Sequence, residues 1–329
     1  MAIKARAVTF LAPRSVEIQE LEVEEPGPGE VVVETLCSGI SGGTELLAYQ
    51  GLVESEVALD ETLGAIAGGS FAHPFRYGYS CVGRVAEAGE ANDLVFAFHP
   101  HQDMIVVPAG DLLALPDMEP RLATLLPLVE TAVQASLDAG VVQHQPVAVM
   151  GLGVVGILTA ALLKRAGAQV LGVESAEVRR KAAGVFGVDS VEPSDTADWV
   201  WDVTGGTGLP LLVEATGAPE VLADGLELLA HEGTALVVSW YGARGPGVRL
   251  GTTFHRRRLT IRSTQVSTIP SSPAGWSVGR RRQVALELLT DLPLETLATH
   301  RFPFTGAGAA YRALDQYDPD LIHAALDYE

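Results

Sequence analysis

Cysteine is scarce in this chain: Cys37 and Cys81 are the only two in 329 residues. Two thiols cannot build a disulfide framework or a four-cysteine zinc site, which points to a protein held together by an ordinary reduced core. Basic residues are also few, 22 Lys and Arg against 41 Asp and Glu, giving a net charge of −19. A surface that acidic argues against nucleic acid and anionic membranes as partners. The uncharged stretch Val147–Leu163 falls short of the roughly 20 apolar residues a transmembrane helix needs, and three glycines interrupt it. The opening Met-Ala-Ile-Lys-Ala-Arg lacks the apolar core of a signal peptide, so a cytoplasmic protein is expected. No internal repeat and no low-complexity tract is found.

What is present is apolar side chain, 47% of residues against 19% charged. That composition buries a large core and excludes intrinsic disorder, and the length suggests two domains. Up to about residue 120 the chain reads as β-rich. Val16–Val23 alternates, Pro26–Gly29 is a turn, and Val31–Thr35, Val82–Val85 and Met104–Val107 are short strands. The small residues Gly64–Ser70 form a loop. From Pro127 the texture changes. After a helix at Glu130–Ala139, apolar runs at Val147–Met150, Val170–Val173, Leu211–Val213 and Ala235–Val238 alternate with helical stretches at Gly156–Ala166, Ala176–Val185 and Pro219–Leu229. Alternation of this kind predicts a parallel sheet with helices on both faces. The tail from Val266 returns to mixed helix and strand.

Gly151-Leu152-Gly153-Val154-Val155-Gly156 fits G-x-G-x-x-G, directly after a buried run and at the start of a Leu- and Ala-rich helix. In that context each glycine has a task. Gly151 makes the tight turn, Gly153 lets the backbone approach a pyrophosphate, and Gly156 allows close helix–strand packing. The free N–H groups at Val154 and Val155 and the helix dipole attract the diphosphate. Glu174 ends the second apolar run about 20 residues on, where a carboxylate accepts hydrogen bonds from a ribose and repels a 2′-phosphate. The expected coenzyme is therefore NAD, with NADP the alternative because Arg179 and Arg180 lie nearby. Ala215-Thr216-Gly217, at the end of a later strand, forms a small-residue loop expected to pass the cofactor.

Between residues 244 and 282 lie nine arginines and no acid. Part of that charge could contact the coenzyme diphosphate or hold an anionic substrate, since Arg binds such groups bidentately. For most of these arginines the expected fate is pairing with acidic partners across domains or subunits.

The whole chain resembles the medium-chain dehydrogenase/reductase superfamily, whose best-known branch is the zinc alcohol dehydrogenases. The resemblance is carried by Ser38-Gly39-Ile40-Ser41-Gly42-Gly43-Thr44-Glu45, by Gly78-Tyr79-Ser80-Cys81-Val82-Gly83-Arg84-Val85, by the glycine motif and by Glu214-Ala215-Thr216-Gly217. The first segment is most similar to the bacteriochlorophyllide dehydrogenase branch. The resemblance implies an α/β protein with a GroES-like β-rich catalytic domain, residues 1–127 and 266–329. A Rossmann domain with a doubly wound parallel sheet, residues 128–265, would complete it.

The departures from the zinc branches are specific. Ser41 or Gly42 stands where a cysteine ligand belongs, and Gly78-Tyr79-Ser80 replaces Gly-His-Glu. The four-cysteine lobe is missing between Val95 and Met104. Serine and tyrosine hydroxyls are poor zinc ligands at neutral pH, so neither a catalytic nor a structural zinc is expected. Something else must handle the alcohol proton. His99 and His101 lie on the loop Phe98–Gln102, and histidine suits acid–base work. By the resemblance Tyr79 and Ser41 face the reacting centre, Thr44 relays a proton, and Glu130 lies beside the nicotinamide. Two histidines with Glu130 also offer donors for some other metal.

The expected function is a zinc-independent NAD-dependent oxidoreductase, moving hydride between the nicotinamide and a secondary alcohol or ketone. The substrate would be a polar or anionic small molecule in the cleft between the domains, and the family implies a homodimer or homotetramer. The rivals are an NADPH-dependent enone or quinone reductase, a non-catalytic NAD(H)-binding protein, and a lyase or epimerase that uses NAD transiently.

Overall fold

The structure, a computed structural model, describes residues 2–86, 94–245, 247–270 and 274–328. The chain divides into two compact units, Met1–Pro127 with Ala298–Glu329, and Leu128–Leu297. No helix among the described residues is long and apolar enough to cross a membrane.

The first unit opens with β1 (Ile3–Ala12) and β2 (Ser15–Val23), an antiparallel pair. β1 buries Ala5, Ala7, Val8 and Phe10, while β2 turns its glutamates outward, the period-2 pattern of a half-solvated ribbon. After β3 (Glu30–Ile40) the chain enters α1 (Thr44–Gln50), which stops at Gly51 in the left-handed region, φ 70°. Next come β4 (Cys81–Val85), β5 (Val95–Ala97), β6 (Met104–Pro108), β7 (Leu113–Ala114) and α2 (Pro120–Ala123). The predicted strand at Val31–Thr35 is thus the first half of a longer one. Its second half, Leu36–Ile40, pairs with the returning C-terminal strand, whose contribution to β3 no local pattern could reveal.

Helix α3 (Leu126–Ala139) leads into the second unit. Its elements are β8 (Pro146–Met150), α4 (Val154–Arg165), β9 (Gln169–Val173), α5 (Glu177–Val185), β10 (Asp189–Val191), α6 (Thr196–Thr204), β11 (Leu209–Glu214), α7 (Pro219–Gly225), β12 (Leu229–Val237), β13 (Thr260–Ser263) and α8 (Val278–Asp291). The sheet order is β10-β9-β8-β11-β12-β13, and every adjacent pair is parallel. This is the doubly wound arrangement expected from the strand–helix alternation, with the order reversing between β8 and β11. The helix expected over Pro219–Leu229 is α7 continued by a 3-10 turn at Leu226–Leu228, and Leu229 already opens β12.

The chain returns through β14 (His300–Pro303), α9 (Ala307–Asp315) and β15 (Ala324–Asp327), completing a seven-stranded sheet ordered β14-β15-β3-β4-β5-β7 with β6 also on β3. That return begins at Ala298, not at the expected Val266. The reason is α8. Its Arg281, 2% exposed, donates from Nε and Nη2 to Glu130 Oε1 at 3.1 and 2.9 Å and from Nη1 to Gln134 Oε1 at 2.6 Å. Leu288 and Leu289 of the same helix are buried. The C-terminal end of the arginine-rich segment is therefore bolted to α3.

Candidate functional site

In the second unit two loops meet at the point where the strand order reverses. β8 runs into Gly151, whose φ of 91° requires glycine, and a Cβ there would lie 2.8 Å from the backbone of Ala215 and Thr216. At Gly156 a Cβ would fall 1.9 Å from Gly151 O, so helix α4 can begin this close to the turn only without a side chain. Gly153 caps α4 without a side-chain hydrogen bond, and the helix has no acid in its first turn. A Cβ at Gly153 would meet no atom within 4 Å. Open backbone at an uncapped helix N-terminus, Val154 and Val155 in its first turn, fits a dinucleotide pyrophosphate. Ligands of doubly wound folds bind at this position, outside the carboxyl ends of the strands.

Glu174 follows β9 and is 8% exposed. Its Oε2 accepts the Leu152 N–H at 3.0 Å and its Oε1 the Ala176 N–H at 2.9 Å, which ties the carboxylate to the glycine turn itself. Arg179 Nη1 stands 3.8 Å from Glu174 Oε2. Arg180 is engaged elsewhere, donating to the carbonyls of Glu174 and Ser175 and to Glu192 Oε1 at 2.9 Å. The loop Ala215-Thr216-Gly217 is held by Glu214, a residue the sequence reading quoted without giving it a role. Fully buried, Glu214 accepts from Thr216 N–H and Oγ1–H on one oxygen and from the Tyr241 hydroxyl on the other. Gly217 N–H donates to Ser239 Oγ at 2.8 Å.

The first unit carries a different kind of site. The Tyr79 phenol lies beside the side chains of Ser41 and Thr44, whose influence partly opposes the rise of its pKa. Burial first, and then the nearby Glu45 charge, pushes Tyr79 up to about 12. Behind this cluster His101 is fully buried, with Nδ1 2.7 Å from Ser38 Oγ and Nε2 2.8 Å from Glu45 Oε2. Tyr311 donates to the same Glu45 oxygen at 2.6 Å, and Glu45 Oε1 accepts the Ser41 N–H at 2.8 Å. His101, expected as an acid–base group, is thus shut away from solvent. His99 Nδ1 lies 2.9 Å from the Pro100 carbonyl oxygen, and burial lowers its pKa to about 4, so its ring is neutral at pH 7. Ser38, Glu45 and Tyr311 were not singled out from sequence. Glu45 stands two residues before the buried run Leu47-Ala48-Tyr49 of α1, and nothing in that spacing names its partners His101 and Tyr311.

Two further groups singled out from the sequence have local partners. Glu130, placed beside the nicotinamide by resemblance, is buried in an ion pair with Arg281, and Arg282 Nε lies 3.6 Å from the same oxygen. The arginine-rich segment is mostly engaged within its own unit. Arg257 donates to the carbonyls of Glu227 and Leu229, Arg258 pairs with Glu232 at 3.1 Å, and Arg280 stacks over Trp276 at 4.7 Å. A catalytic zinc needs three N, S or O ligands and an open position, and the donors at the place where zinc branches hold their metal are otherwise disposed. Ser41 and Tyr79 offer only neutral hydroxyls, poor zinc ligands at pH 7. Cys37 Sγ donates to Asp327 Oδ1 at 3.6 Å and Cys81 Sγ to the His99 carbonyl at 3.3 Å, and burial raises both thiols. His101 is engaged by Ser38 and Glu45. Among the described residues no group of three or more His, Cys, Asp or Glu is set to hold a metal. These residues do not fit a zinc ion.

Residues 154–277 match the family model described as zinc-binding dehydrogenase. The chain is 30% identical over 268 residues to an L-threonine 3-dehydrogenase of Thermococcus kodakarensis, covering 71% of this chain and 75% of that one. It is 27% identical over 358 residues to the 2-desacetyl-2-hydroxyethyl bacteriochlorophyllide A dehydrogenase of Cereibacter sphaeroides, covering 99% of each. Among solved structures, 2R,3R-butanediol dehydrogenase from Bacillus subtilis superposes with a TM-score of 0.76 at 20% identity, over 98% of this chain and 99% of that one. The glycine-turn geometry, the parallel sheet order and these matches agree: the chain belongs to the zinc-type medium-chain dehydrogenase/reductase superfamily.

Proposed function

We propose that this protein is an NAD-dependent oxidoreductase that interconverts a small, polar secondary alcohol and its ketone without a catalytic zinc. The observation that carries the reading is the Tyr79 hydroxyl, set beside Ser41 and Thr44 at the position that the resemblance gives to a zinc ligand in zinc-binding relatives. The bound coenzyme supplies a hydride to the carbonyl carbon or takes one from the alcohol carbon. With its pKa near 12, Tyr79 keeps its proton at pH 7 and acts as a hydrogen-bond donor to the substrate oxygen. An alkoxide is far more basic than a phenolate, so the proton moves from Tyr79 to the oxygen as hydride arrives. Thr44 and Ser41, beside the phenol, steady the phenolate left behind and lead its reprotonation. His101 is too deeply buried to touch substrate and His99 is neutral, so neither is the proton donor in this reading. Glu174, fixed against the glycine turn, favours NAD by repelling a 2′-phosphate. The names of the relatives differ in substrate and agree on dehydrogenation of a hydroxyl-bearing compound.

The test uses protein stripped of metal with a chelator and checked for metal content. NADH and NADPH are titrated by fluorescence, and a panel of secondary alcohols and ketones is then screened for turnover. NADH should bind at least about tenfold more tightly than NADPH, a difference of roughly 1.4 kcal/mol. Turnover should survive removal of metal, and Tyr79→Phe should lower kcat by about 100-fold or more, the usual scale for losing a proton-transfer group. Turnover that returns only with added zinc would sink the metal-free mechanism. Preference for NADPH would favour the enone reductase alternative, with Arg179 reading the 2′-phosphate.

A further inference from the structure

Five residues remote in sequence form a buried polar chain in the first unit that the proposed reaction does not itself use. Tyr328 OH lies 2.8 Å from Ser38 Oγ, Ser38 Oγ 2.7 Å from His101 Nδ1, and His101 Nε2 2.8 Å from Glu45 Oε2, where Tyr311 also donates. With the ring proton on Nε2 every donor in the chain has an acceptor, and the Glu45 carboxylate receives three: His101, Tyr311 and the Ser41 N–H. Such a carboxylate is expensive to bury and tolerable only when this well satisfied. A core needing only volume would fill the space with apolar side chains, so the network calls for another explanation.

The network touches the hydroxyl cluster at two separate points. Glu45 Oε1 takes the backbone N–H of Ser41, which fixes the loop that carries Ser41 and Thr44. On the other side the His101 ring packs beneath Gly78, the residue before Tyr79. A Cβ at Gly78 would lie 2.7 Å from both His101 Cδ2 and Nε2, and the backbone there has φ 117°. One face of the His101–Glu45 pair therefore sets where the Ser41–Thr44 loop sits, and the other sets where Tyr79 enters. We propose that Glu45 and His101 are positioning residues, a buried pair that fixes the Tyr79 phenol against Ser41 and Thr44. The inference rests on the reading of Tyr79 as proton donor, and its test can fail independently of that reading.

The experiment needs no substrate. The protein is labelled with ¹³C at the ring Cζ of tyrosine, a nucleus sensitive to hydrogen bonding and ionisation of the phenol, and the Tyr79 line is assigned by its loss in Tyr79→Phe. Spectra are compared for the parent protein, His101→Phe, which keeps a ring and removes its bonds, and Glu45→Gln, which keeps the shape and removes the charge. Both variants should displace the Tyr79 line at pH 7 while that of exposed Tyr317 stays in place. A residue that only adds stability lowers the unfolding midpoint and leaves the native Tyr79 line unmoved. Should either variant fail to fold, Tyr311→Phe serves, because it deletes a single hydroxyl from the Glu45 oxygen. It should move the same line by a smaller amount. An unmoved Tyr79 line in the folded variants overturns the positioning role. NADH titration of the same samples should give the parent affinity; weak NADH binding by the parent protein would instead count against the oxidoreductase reading and leave the positioning test standing.

Discussion

The two units build their functional surfaces from different materials. The second unit uses backbone: glycines at 151, 153 and 156, an uncapped helix end, and a loop held from below by Glu214. The first unit uses side chains, with hydroxyls of Ser41, Thr44 and Tyr79 in front and an imidazole–carboxylate pair behind. A backbone site depends on where atoms cannot be, so its sensitivity is steric and local. A side-chain site depends on which donor meets which acceptor, so its sensitivity is chemical and reaches across the fold.

The largest effect should come from breaking the backbone site. Gly156→Val places a branched side chain where even a Cβ would fall 1.9 Å from Gly151 O. The turn has to open, and NADH affinity should drop by about 100-fold or more, roughly 3 kcal/mol. The check is fluorescence titration beside the tyrosine ¹³C spectrum. Lost binding with an unmoved Tyr79 line confirms that the two sites are built separately. Retained NADH affinity would mean that the glycine turn is not what holds the dinucleotide.

The next effect concerns stability. Arg281→Met leaves Glu130 buried with its main partner gone, and breaking a buried pair from one side costs about 3–5 kcal/mol. The denaturant midpoint should fall accordingly, and combining Arg281→Met with Glu130→Leu should restore much of it. If the single variant unfolds like the parent, α8 is not anchored by this pair and the placement of residues 278–291 with the second unit loses its main support.

How much of this was legible in the sequence follows the same division. The glycine loop and the parallel sheet were readable because their determinants are neighbours: a motif of six residues, an apolar run before it, a carboxylate after the next strand. Glu45 meets Tyr311 across a separation of 266 residues, and Arg281 meets Glu130 across 151. No periodicity reports such pairings. An acidic partner could be expected for an arginine in the basic run, but which acid, and that Glu45 meets a tyrosine and a histidine, only the fold supplies. His101 was recognised as chemically suggestive but given the wrong station, since a loop histidine is ordinarily exposed and here the chain folds over it. Glu130 shows a different limit: the family position implied a cofactor neighbour, and its arginine partner 151 residues away had no sequence signal.

The smallest effect should separate the units by pH. His99 and His323 both lie in the first unit, and burial lowers each to about 4, with Pro100 partly opposing it for His99 and Arg121 adding to it for His323. The histidines of the second unit, His144, His231 and His255, are exposed. A group whose folded pKa lies below its unfolded value of about 6.5 stabilises the fold above that value. The contribution is lost as pH falls from about 6.5 toward 4, because the unfolded chain binds protons that the folded one refuses. The slope should approach about 1.4 kcal/mol per pH unit for each histidine. Acidification through that window should therefore loosen the first unit before the second. Hydrogen exchange, corrected for the intrinsic pH dependence of amide exchange, checks this by following β1 and β3 against β8 and β11 at pH 7 and pH 4.5. Protection lost first in β8 and β11 would contradict it. In His99→Gln the slope should flatten by about one proton, which assigns half of the effect to a single ring.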